Sequence, residues 1–595
     1  MSNRDDITGL RAICVLSVLL AHAQIPGFAG GFIGVDIFFV ISGFVITASI
    51  SAQGDENFSY LRFWGNRIRR LLPALIFVVL VTVPFAYLWM LPDPLENFGQ
   101  SIVASLLFAN NLLLYLTSGY WDLAADYKPF LHTWSLGVEA QFYFLFPFFL
   151  LIICPRTPRN RCNALLLSVI LLFLIDLIQR YIFSWDTFYF PHARGWQLLS
   201  GALAFYLTKA WNMKTNMGLT TLGLILIIIS ILVISPLDPT PGPVVTPAVL
   251  GSMLFLIFSA DHFPTSKLLR SWFVQKIGLA SYSIYLIHQP LFAFSRIFSK
   301  QRPDIAINFL IMCASIFFGM LIYIFIEKKF RSVNYLSNQK FVALLFFFVA
   351  SLIAFGLTSH YTGGLPSRLF SDPSQSQLSN INYNHRHKIL EGKDFSSDKT
   401  KTKVLVIGNS FARDVINVIL EEYNVSSLDI AYREFWRDCD IKKDIPTYKT
   451  FYEADIIVFG SNYSLNNSLC FENLLKENNN KDNSIFFIGT KHFGENLNWV
   501  TRLPVGQRNN LRNQLLVKYR EIDFRAKELI PRENFISILD SLSNPNGILI
   551  TDSNGDLVSW DRTHLTQAGA KLIGEKVFRN SSLNDILPRK NVNGN

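Results

Sequence analysis

The sequence predicts a two-part fold, in which a polytopic α-helical membrane domain precedes a soluble α/β domain with a parallel sheet. Only 16% of the 595 residues are charged, against roughly a quarter in typical soluble domains. Residues 1–358 form a series of long apolar runs, whereas residues 360–595 are polar and rich in Asn, Asp and Lys. In the second part, short apolar runs ending in Gly alternate with polar helical stretches, as buried parallel strands and their helices do.

Eleven segments are predicted to cross a membrane, because each is mostly apolar and close to the roughly 17–25 residues that a helical span needs. Residues 101–116 are also apolar, but Gln100, Asn110 and Asn111 favour a helix that lies on the protein or re-enters it. The first run is expected to remain as a span, since Asp5 and Asp6 precede it and no small-residue cleavage site follows. The predicted spans are 7–23, 32–50, 71–91, 136–153, 164–181, 195–209, 217–235, 245–260, 277–298, 307–326 and 341–358.

The Lys and Arg residues of the loops predict the orientation. Loops on the side of the N-terminus hold 16 of them and the opposite loops hold 4, and cytoplasmic loops carry such an excess. The N-terminus is therefore predicted to be cytoplasmic, and an odd number of spans places the C-terminal part outside. In a bacterium with two membranes this is an inner-membrane protein with a periplasmic domain. The net charge of +10 then reflects topology, and no nucleic-acid partner is predicted.

The domain boundaries follow from these changes in composition. We predict a membrane domain at 1–335, the eleventh helix at 336–359, a linker or packed extension at 360–402, an α/β domain at 403–587 and a tail at 588–595. The α/β domain is expected to have strands at 404–408, 454–460 and 484–489 and helices at 411–423, 465–478 and 508–528.

The six cysteines suggest one disulfide and no metal site. Cys439 and Cys470 are the only two in the domain placed outside, where an oxidising compartment permits a disulfide. We therefore predict a Cys439–Cys470 bond.

The first apolar helix carries ionisable groups at both ends, Arg11 and His22. Eleven residues make about three turns, so the two groups share a face roughly 16 Å apart. Ionisable groups in a membrane usually face a protein interior or a watery cavity and mark function. The alternative is that Arg11 snorkels to the cytoplasmic surface and His22 is a hydrogen-bonded interior residue.

Further polar residues lie in or beside the apolar runs, and paired acids and bases around one cavity would explain them. They are Asp36, Arg67, Arg69, Arg70, His132, Trp134, Glu139, Ser281, Tyr282, Tyr285, His288, Glu327 and Arg331.

Five motifs in order resemble the acyltransferase-3 family of membrane acyltransferases over about residues 5–335. They are Arg11-x10-His22, GGFIGVDIFFVISGF, Arg67-x-x-Arg70, HTWSLGVEAQFY at 132–143 and SYSIYLIHQP at 281–290. Ala140 stands where many relatives have a second Glu, so that position is not expected to be essential. The resemblance implies transfer of an acyl group, often acetyl, from cytoplasmic acyl-CoA to an extracytoplasmic acceptor such as a sugar hydroxyl.

The resemblance marks Arg11 and His22 as the essential pair. Imidazole titrates near neutrality and can act as a base in acyl transfer. Arg67 and Arg70 share a helix face and suit the phosphates of acyl-CoA, although positive-inside topology alone explains Arg69 equally well. Asp36, His132, Glu139, Tyr285 and His288 are candidate supporting residues, and Glu139 would either orient His22 or bind the acceptor.

The outer domain contains a candidate nucleophilic site. Ser410 directly follows a buried strand and opens a helix, a turn that exposes the hydroxyl and aims helix N–H groups at an oxyanion. Asp561 and His564 are three residues apart, so the carboxylate can set the imidazole tautomer. Gly460 and Asn462 follow another strand and can complete an oxyanion hole.

Three motifs of this domain resemble the SGNH hydrolase family over about residues 403–580. They are Gly408–Ser410, Gly460–Asn462 and Asp561–His564. Asn409 replaces the usual Asp of the first motif, which is not the catalytic acid of that family.

A chain that combines these two families resembles the bacterial enzymes that O-acetylate surface polysaccharide. The expected reaction transfers acetyl from acetyl-CoA to a sugar hydroxyl, with O-antigen of lipopolysaccharide as the expected acceptor and no tightly bound cofactor. Two alternatives stay open: a transporter or flippase coupled to a periplasmic carbohydrate acetylesterase, and acetylation of peptidoglycan or another glycan precursor. The sequence does not set the sugar, its hydroxyl position or the oligomeric state.

Overall fold

The computed structural model divides into two compact units. Unit 1 comprises Met1–Leu88 and Asn97–His360, and unit 2 comprises Trp89–Glu96 and Tyr361–Asn595. The structure describes residues 4–54, 56–117, 125–154, 157–183, 187–260, 262–332, 335–369, 383, 385–434, 445–460 and 484–590.

Up to residue 361 the described chain is helical. Its α-helices are Asp5–His22, Gly34–Gln53, Tyr60–Trp89, Pro92–Leu106, Asn110–Thr117, Thr133–Phe148, Pro158–Tyr181, Pro191–Trp211, Met217–Val233, Thr246–Phe258, Pro264–Leu269, Trp272–Phe298, Ile305–Ile322, Lys328–Phe330 and Asn338–Tyr361. Short π-helical turns at Phe149–Ile153 and Tyr323–Glu327 extend two of them.

The predicted number of eleven spans is not confirmed. Among the described residues, six helical segments are long and apolar enough to cross a membrane, and two shorter helices are apolar. The first helix, which is also a predicted span, contains Asp5, Asp6 and Arg11, and these residues lower its hydropathy. The six segments are Ala29–Gln53, Tyr60–Trp89, Thr133–Ile153, Pro158–Tyr181, Ile305–Phe330 and Asn338–Tyr361.

The apolar segment 101–116 is not a single helix, in agreement with its exclusion from the spans. The helices Pro92–Leu106 and Asn110–Thr117 are separated by Phe108, which has a φ of 54°. Asn110 is buried and donates to the Phe130 carbonyl at 2.8 Å. The Asn110 side-chain amide therefore donates a hydrogen bond inside the protein.

The helices Gly34–Gln53 and Pro191–Trp211 pack at close range through glycines. A Cβ on Gly43 would lie 1.8 Å from the Leu198 carbonyl oxygen, and a Cβ on Gly201 would lie 1.9 Å from the Val40 carbonyl oxygen. Small residues at such positions let helix backbones approach within a membrane. The glycine of the VISGF sequence therefore has a packing role.

A buried ion pair joins the same two helices. Arg194 Nη1 donates to Asp36 Oδ1 at 2.7 Å, and Gln197 Nε2 donates to the same oxygen at 2.7 Å. The side chains of Asp36 and Arg194 are 3% and 2% exposed, and the guanidinium lies over the Trp134 ring, 5.0 Å from its centroid. Asp36, predicted as a supporting residue, thus neutralises a structural arginine.

Unit 2 is built on a five-stranded parallel sheet with the order β2-β1-β3-β4-β6. Its strands are β1 (Thr402–Gly408), β2 (Leu428–Glu434), β3 (Ile456–Gly460), β4 (Ser484–Ile488) and β6 (Phe535–Ile536). The strands β5 (Arg512–Asn513), β7 (Ser543–Asn544) and β8 (Gly547–Leu549) form a small antiparallel sheet. The α-helices of this unit after residue 402 are Ser410–Glu422, Ile445–Glu453, Val517–Leu529, Ile538–Leu542 and Gln567–Lys576.

The predicted parallel sheet is confirmed, with two strands that the sequence did not indicate. β2 was missed because polar residues interrupt it: Asp429 and Arg433 are buried and bind the preceding extension. Arg433 Nη2 donates to Asp394 at 2.9 Å, and Lys393 Nζ donates to Asp429 at 3.0 Å. The part of the predicted 360–402 segment around Lys393 and Asp394 is therefore an extension that packs on β2, at the edge of the sheet.

Breaking the Asp36–Arg194 pair should destabilise unit 1. We expect Arg194→Met to lower the free energy of unfolding by about 3–5 kcal/mol, because it leaves a buried carboxylate unpaired. Unfolding of detergent-solubilised protein in rising SDS, followed by tryptophan fluorescence, measures this. The control is Arg302→Met, since the Arg302–Asp126 pair is 42% exposed on both sides and exposed pairs contribute little. Equal stability of the two variants would contradict the prediction.

Candidate active sites

The first helix, Asp5–His22, contains both residues of the predicted pair, and each end meets a different group of side chains. The ring centroids of His22 and His288 are 5.0 Å apart, and those of His132 and His288 are 5.2 Å apart. Tyr285 is the fourth member, with its ring centroid 5.2 Å from that of His132. The structure therefore brings four predicted site residues together. We call these three histidines and one tyrosine the imidazole cluster.

Hydrogen bonds to the backbone select the tautomers of two of these imidazoles. His22 Nδ1 is 3.0 Å from the Val18 carbonyl oxygen, and His288 Nδ1 is 2.5 Å from the Tyr285 carbonyl oxygen. A carbonyl only accepts, so both Nδ1 atoms carry the hydrogen and both Nε2 atoms carry a lone pair. His288 is fully buried, whereas His22 is partly accessible. His22 Nε2 is thus the lone pair that a reactant can reach.

His132 and Tyr285 hold the cluster together. Tyr285 Oη lies 2.8 Å from Ser135 Oγ and donates to the His132 carbonyl at 3.1 Å. Among the described residues, no group of His, Cys, Asp or Glu side chains is arranged to hold a metal ion. The arrangement suits proton transfer at buried imidazoles.

Arg11, at the other end of the helix, lies within charge-interaction range of Arg70, Glu327 and Glu139. Glu327 Oε1 is 4.0 Å from Arg70 Nε, and Ser283 Oγ donates to Glu327 Oε2 at 2.7 Å. Arg11 therefore has carboxylate neighbours inside the protein. This placement differs from that of a side chain snorkelling to the membrane surface.

The three arginines near the start of the third helix have different surroundings. Arg69 is buried, and its guanidinium donates to the Leu336 carbonyl at 3.1 Å and to Asn338 Oδ1 at 2.7 Å. In contrast, Nε of Arg67 and Nε of Arg70 are buried without a hydrogen-bond partner among the described residues. A phosphate supplies the acceptors that such donors lack. The phosphate-binding role of Arg67 and Arg70 stays a prediction, whereas Arg69 binds the chain around residues 336–338.

Glu139 belongs to the arginine end of the helix. It accepts hydrogen bonds from Ser42 and Tyr143, and its charge acts on Arg11 and Arg67. These contacts place Glu139 near Arg11 and Arg67, and none of them joins it to His22.

The predicted Ser-His-Asp residues of unit 2 meet in space. His564 Nε2 is 3.1 Å from Ser410 Oγ, and His564 Nδ1 is hydrogen-bonded to Asp561 Oδ2. Asp561 Oδ1 also accepts from the backbone N–H groups of Thr563 at 2.8 Å and His564 at 2.7 Å. The carboxylate is held by the turn that carries the histidine, so it fixes the imidazole with Nδ1 protonated and Nε2 facing the serine.

The pKa values of the dyad move in opposite directions. Burial favours the neutral form of each group, but the attraction and hydrogen bond between them outweigh it. They raise the pKa of His564 above its ordinary value and hold the pKa of Asp561 well below its usual range. His564 is thereby a stronger base than a free imidazole.

The strand-to-helix turn that presents Ser410 depends on glycine. Gly408 has a φ of +147°, and a Cβ there would lie 1.9 Å from the Gly460 carbonyl oxygen. Asn409 caps the helix Ser410–Glu422 by accepting from the Phe411 N–H at 3.0 Å. Asn409 therefore has a structural role at the position where the SGNH motif usually has Asp.

The predicted helix at 465–478 and three predicted site residues lie outside the described residues. The three residues are Asn462 of the oxyanion hole and the two cysteines of the predicted disulfide, Cys439 and Cys470.

Asp93 is a neighbour of the triad that sequence reasoning missed. Leu91, two residues earlier, is buried, and its N–H donates to Asn498 Oδ1 at 2.7 Å, so this segment packs within unit 2. The surrounding protein atoms and the charges of Asp561 and Glu96 raise the pKa of Asp93 to about 7. Only the fold brings it near Asp561, because the Pro-Asp-Pro sequence by itself indicates a turn.

Comparison with known proteins decides the family. A family model described as an acyltransferase domain matches residues 4–328, which is more than half of the chain. The chain belongs to this family. The resemblance inferred from the five motifs is confirmed, and the imidazole cluster and the arginine end lie within the matched region. No solved structure matches the chain.

Curated relatives share this acyltransferase region. Peptidoglycan O-acetyltransferase OatA of Listeria monocytogenes is 31% identical over 359 residues, which cover 56% of this chain and 57% of that protein. O-acetyltransferase OatA of Staphylococcus aureus is 27% identical over 372 residues, covering 56% of this chain and 59% of that protein. A putative O-acetyltransferase of Staphylococcus aureus is 29% identical over 356 residues, covering 55% of this chain and 57% of that protein. The chain therefore spans less than two thirds of the length of these relatives.

The raised pKa of His564 predicts the pH dependence of the Ser410 site. The base must be neutral to accept a proton, so kcat/KM for hydrolysis of a chromogenic acetyl ester should rise with pH through an apparent pKa above 6.5. Asp561→Asn should lower that pKa, because the attraction of the carboxylate is lost, and should lower the rate on the order of 10²–10⁴-fold. Asp585→Asn, at an exposed carboxylate, is the control. A midpoint that moves to higher pH in Asp561→Asn would contradict this assignment.

Proposed function

We propose that this protein is an O-acetyltransferase that moves an acetyl group from acetyl-CoA to a hydroxyl of a cell-surface glycan, using both sites. The observation that carries the proposal is the hydrogen-bonded Ser410–His564–Asp561 triad in a chain whose other unit belongs to an acyltransferase family. Each site can cleave or form an acyl bond. Their presence in one chain suggests a transfer in two stages.

The first stage takes place in unit 1. Arg67 and Arg70 would bind phosphates of acetyl-CoA through the donors that the protein leaves unpaired. His22 is the partly accessible imidazole, and its Nε2 would either accept a proton from the acyl acceptor or take the acetyl group itself. The thioester C–S bond would break in this step, and CoA would leave as the thiol once its sulfur is protonated. Arg11 would stabilise the negative charge that develops on the thioester oxygen, and its carboxylate neighbours would hold the guanidinium in place.

The second stage takes place at Ser410. His564 would accept the proton of the serine hydroxyl as Oγ attacks the acyl carbonyl, and Asp561 would stabilise the resulting imidazolium. The imidazolium would then give that proton to the group that carried the acetyl, which leaves as its bond to the acyl carbon breaks. The Ser410 N–H at the helix N-terminus and the backbone near Gly460 are the expected oxyanion donors. The sugar hydroxyl would then attack the acetyl-serine ester, with its proton passing to His564. His564 would return a proton to Ser410 Oγ as the bond between Oγ and the acetyl carbon breaks.

Peptidoglycan is the acceptor that the comparisons favour. The Listeria monocytogenes relative is named for peptidoglycan O-acetylation, whereas O-antigen has no support among the relatives reported above. The loop charges favour a cytoplasmic N-terminus and an outer Ser410 site, which agrees with an acceptor outside the cytoplasm.

A carbohydrate acetylesterase is the second candidate function. The side chains of His564 and Asp561 are 29% and 17% exposed, so water can approach the triad. Hydrolysis needs the same serine, and the direction of change in a serine variant separates the two functions.

Acetyl groups on glycans of cells carrying variants test the proposal. Ser410→Ala and His22→Ala should each reduce glycan acetylation at least about tenfold, because each removes a group that handles the acyl bond. Acetate released by mild base is measured separately from purified peptidoglycan and from lipopolysaccharide. The controls are Ser426→Ala and His385→Ala, at exposed positions, with protein levels checked by immunoblot.

Three results would count against it. Unchanged acetylation in Ser410→Ala would show the serine to be dispensable. Increased acetylation in that variant would favour the esterase. Loss of acetate from lipopolysaccharide alone would restore O-antigen as the acceptor.

A further inference from the structure

A buried ion pair, Asp414 and Lys491, lies directly behind the triad of unit 2. Lys491 Nζ donates to Asp414 Oδ2 at 2.6 Å, and the two side chains are 2% and 5% exposed. The ammonium group also lies over the Phe411 ring, 3.6 Å from its centroid. Neither residue belongs to the motifs that identified the triad.

Stability alone is a poor explanation for this pair. Removing two charges from water costs several kcal/mol per ion, and well-packed apolar residues often replace a buried pair without loss of stability. The surroundings are suited to such a replacement, because the adjacent side chains include Val415, Ile488 and Leu565.

The contacts of the pair lead to the two residues that flank His564. Lys491 Nζ donates to the Thr563 carbonyl at 2.6 Å, and the Leu565 N–H donates to Asp414 Oδ2 at 3.2 Å. One carboxylate oxygen thus accepts both from Lys491 and from the backbone on the far side of the histidine.

The pair also connects to the nucleophile. Asp414 is four residues after Ser410 on the helix Ser410–Glu422, so the two are about one turn apart. Lys491 follows β4, and two residues later the Phe493 N–H donates to the Arg562 carbonyl at 2.9 Å. The pair therefore joins the serine helix, the histidine turn and the chain after β4.

We propose that Asp414 and Lys491 are positioning residues that set His564 Nε2 against Ser410 Oγ. The inference rests on the proposed function of the Ser410 site. The turn that they hold has no regular hydrogen-bonded structure, and Arg562 within it has a φ of +86°, which is uncommon for a residue with a Cβ. External contacts of this kind keep such a turn in one conformation.

The charges of the pair oppose each other at the imidazole. Asp414 raises the pKa of His564 and Lys491 lowers it. Asp561, which is bonded to Nδ1, and Asp93 also interact with the charge of His564. Removing both members of the pair should therefore change the rate more than the pH at which His564 titrates.

The rate at which a fluorophosphonate probe labels Ser410 in the full-length, detergent-solubilised protein tests the proposal. Asp414→Leu/Lys491→Met should label about 10–100-fold more slowly, because a displacement near 1 Å at a reacting pair costs on the order of 10²-fold. The midpoint of the pH profile should stay near that of the unsubstituted protein. In a His564→Ala background the same pair of substitutions should cause no further slowing, since the pair acts through the histidine.

Two other variants serve as controls. Asp414→Asn/Lys491→Gln keeps an acceptor for the Leu565 N–H and an amide donor at position 491, and it leaves no buried charge unpaired. It should label faster than the apolar double variant but more slowly than the unsubstituted protein, because the shorter Gln weakens the bond to the Thr563 carbonyl. The comparison with the unsubstituted protein tests the proposal even where the apolar double variant does not fold. Lys527→Met removes a lysine that bonds Asp523 at 3.0 Å and Asp540 at 2.6 Å but is 35% exposed, and it should label at the original rate.

The outcomes separate the two proposals. Absence of Ser410 labelling in the unsubstituted protein would overturn the proposed function and this inference with it. Normal labelling in the folded double variant, or an equal further loss in the His564→Ala background, would overturn the inference alone.

Discussion

The cost of placing charged and polar groups away from water separates the structural side chains of this protein from the candidate reactive ones. In unit 1, the guanidinium of Arg194 is neutralised by Asp36, and that of Arg69 is bound by the chain near Asn338. These groups are fully used by the protein. Arg67, Arg70 and His288 each have a buried nitrogen with no hydrogen-bond partner among the described residues. Gln197 and Arg433 also have such atoms, but the first three residues belong to the groups of side chains at the two ends of the first helix. Buried polar groups without partners are expensive, and a ligand or a transferred proton is the explanation that we favour.

The same constraint organises the Ser410 site of unit 2. The Asp561 carboxylate is bonded to backbone N–H groups and to His564, so it is held in one position against the imidazole. Behind the histidine, one oxygen of Asp414 accepts from Lys491 and from the Leu565 N–H. Charges that are satisfied in fixed positions need no reorganisation during reaction, which is the basis of electrostatic catalysis.

The sequence predicted local features well and features formed by distant residues poorly. The strand-to-helix turn at Ser410 and the Asp561–His564 turn were predicted because each is encoded within a few residues. The partners of Asp36 were not predicted, since Arg194 is far away in the chain. Asp93 and Lys491 were missed for the same reason. Each becomes relevant only when the fold brings it to Asp561 or Asp414.

The predicted count of eleven spans is not confirmed, and the first helix shows why. Hydropathy identifies helices that face lipid, but the first helix buries Arg11 within charge range of Glu139 and Glu327, and its charged residues lower the signal. The small antiparallel sheet was also missed, because two-residue strands such as β5 and β7 have no periodicity to detect. The five motifs identified the family even where hydropathy is low, because the spacing of motif residues does not depend on which helix faces contact lipid.

The central claim is that acetyl reaches Ser410 through unit 1, and mass spectrometry of the Ser410 peptide tests it most directly. Membrane vesicles containing the full-length protein are supplied with isotopically labelled acetyl-CoA, without glycan acceptor, and quenched in acid. We predict a labelled acetyl ester on Ser410 in the unsubstituted protein and none in His22→Ala. Equal labelling of Ser410 in His22→Ala, or glycan acetylation with Ser410 never labelled, would contradict the account.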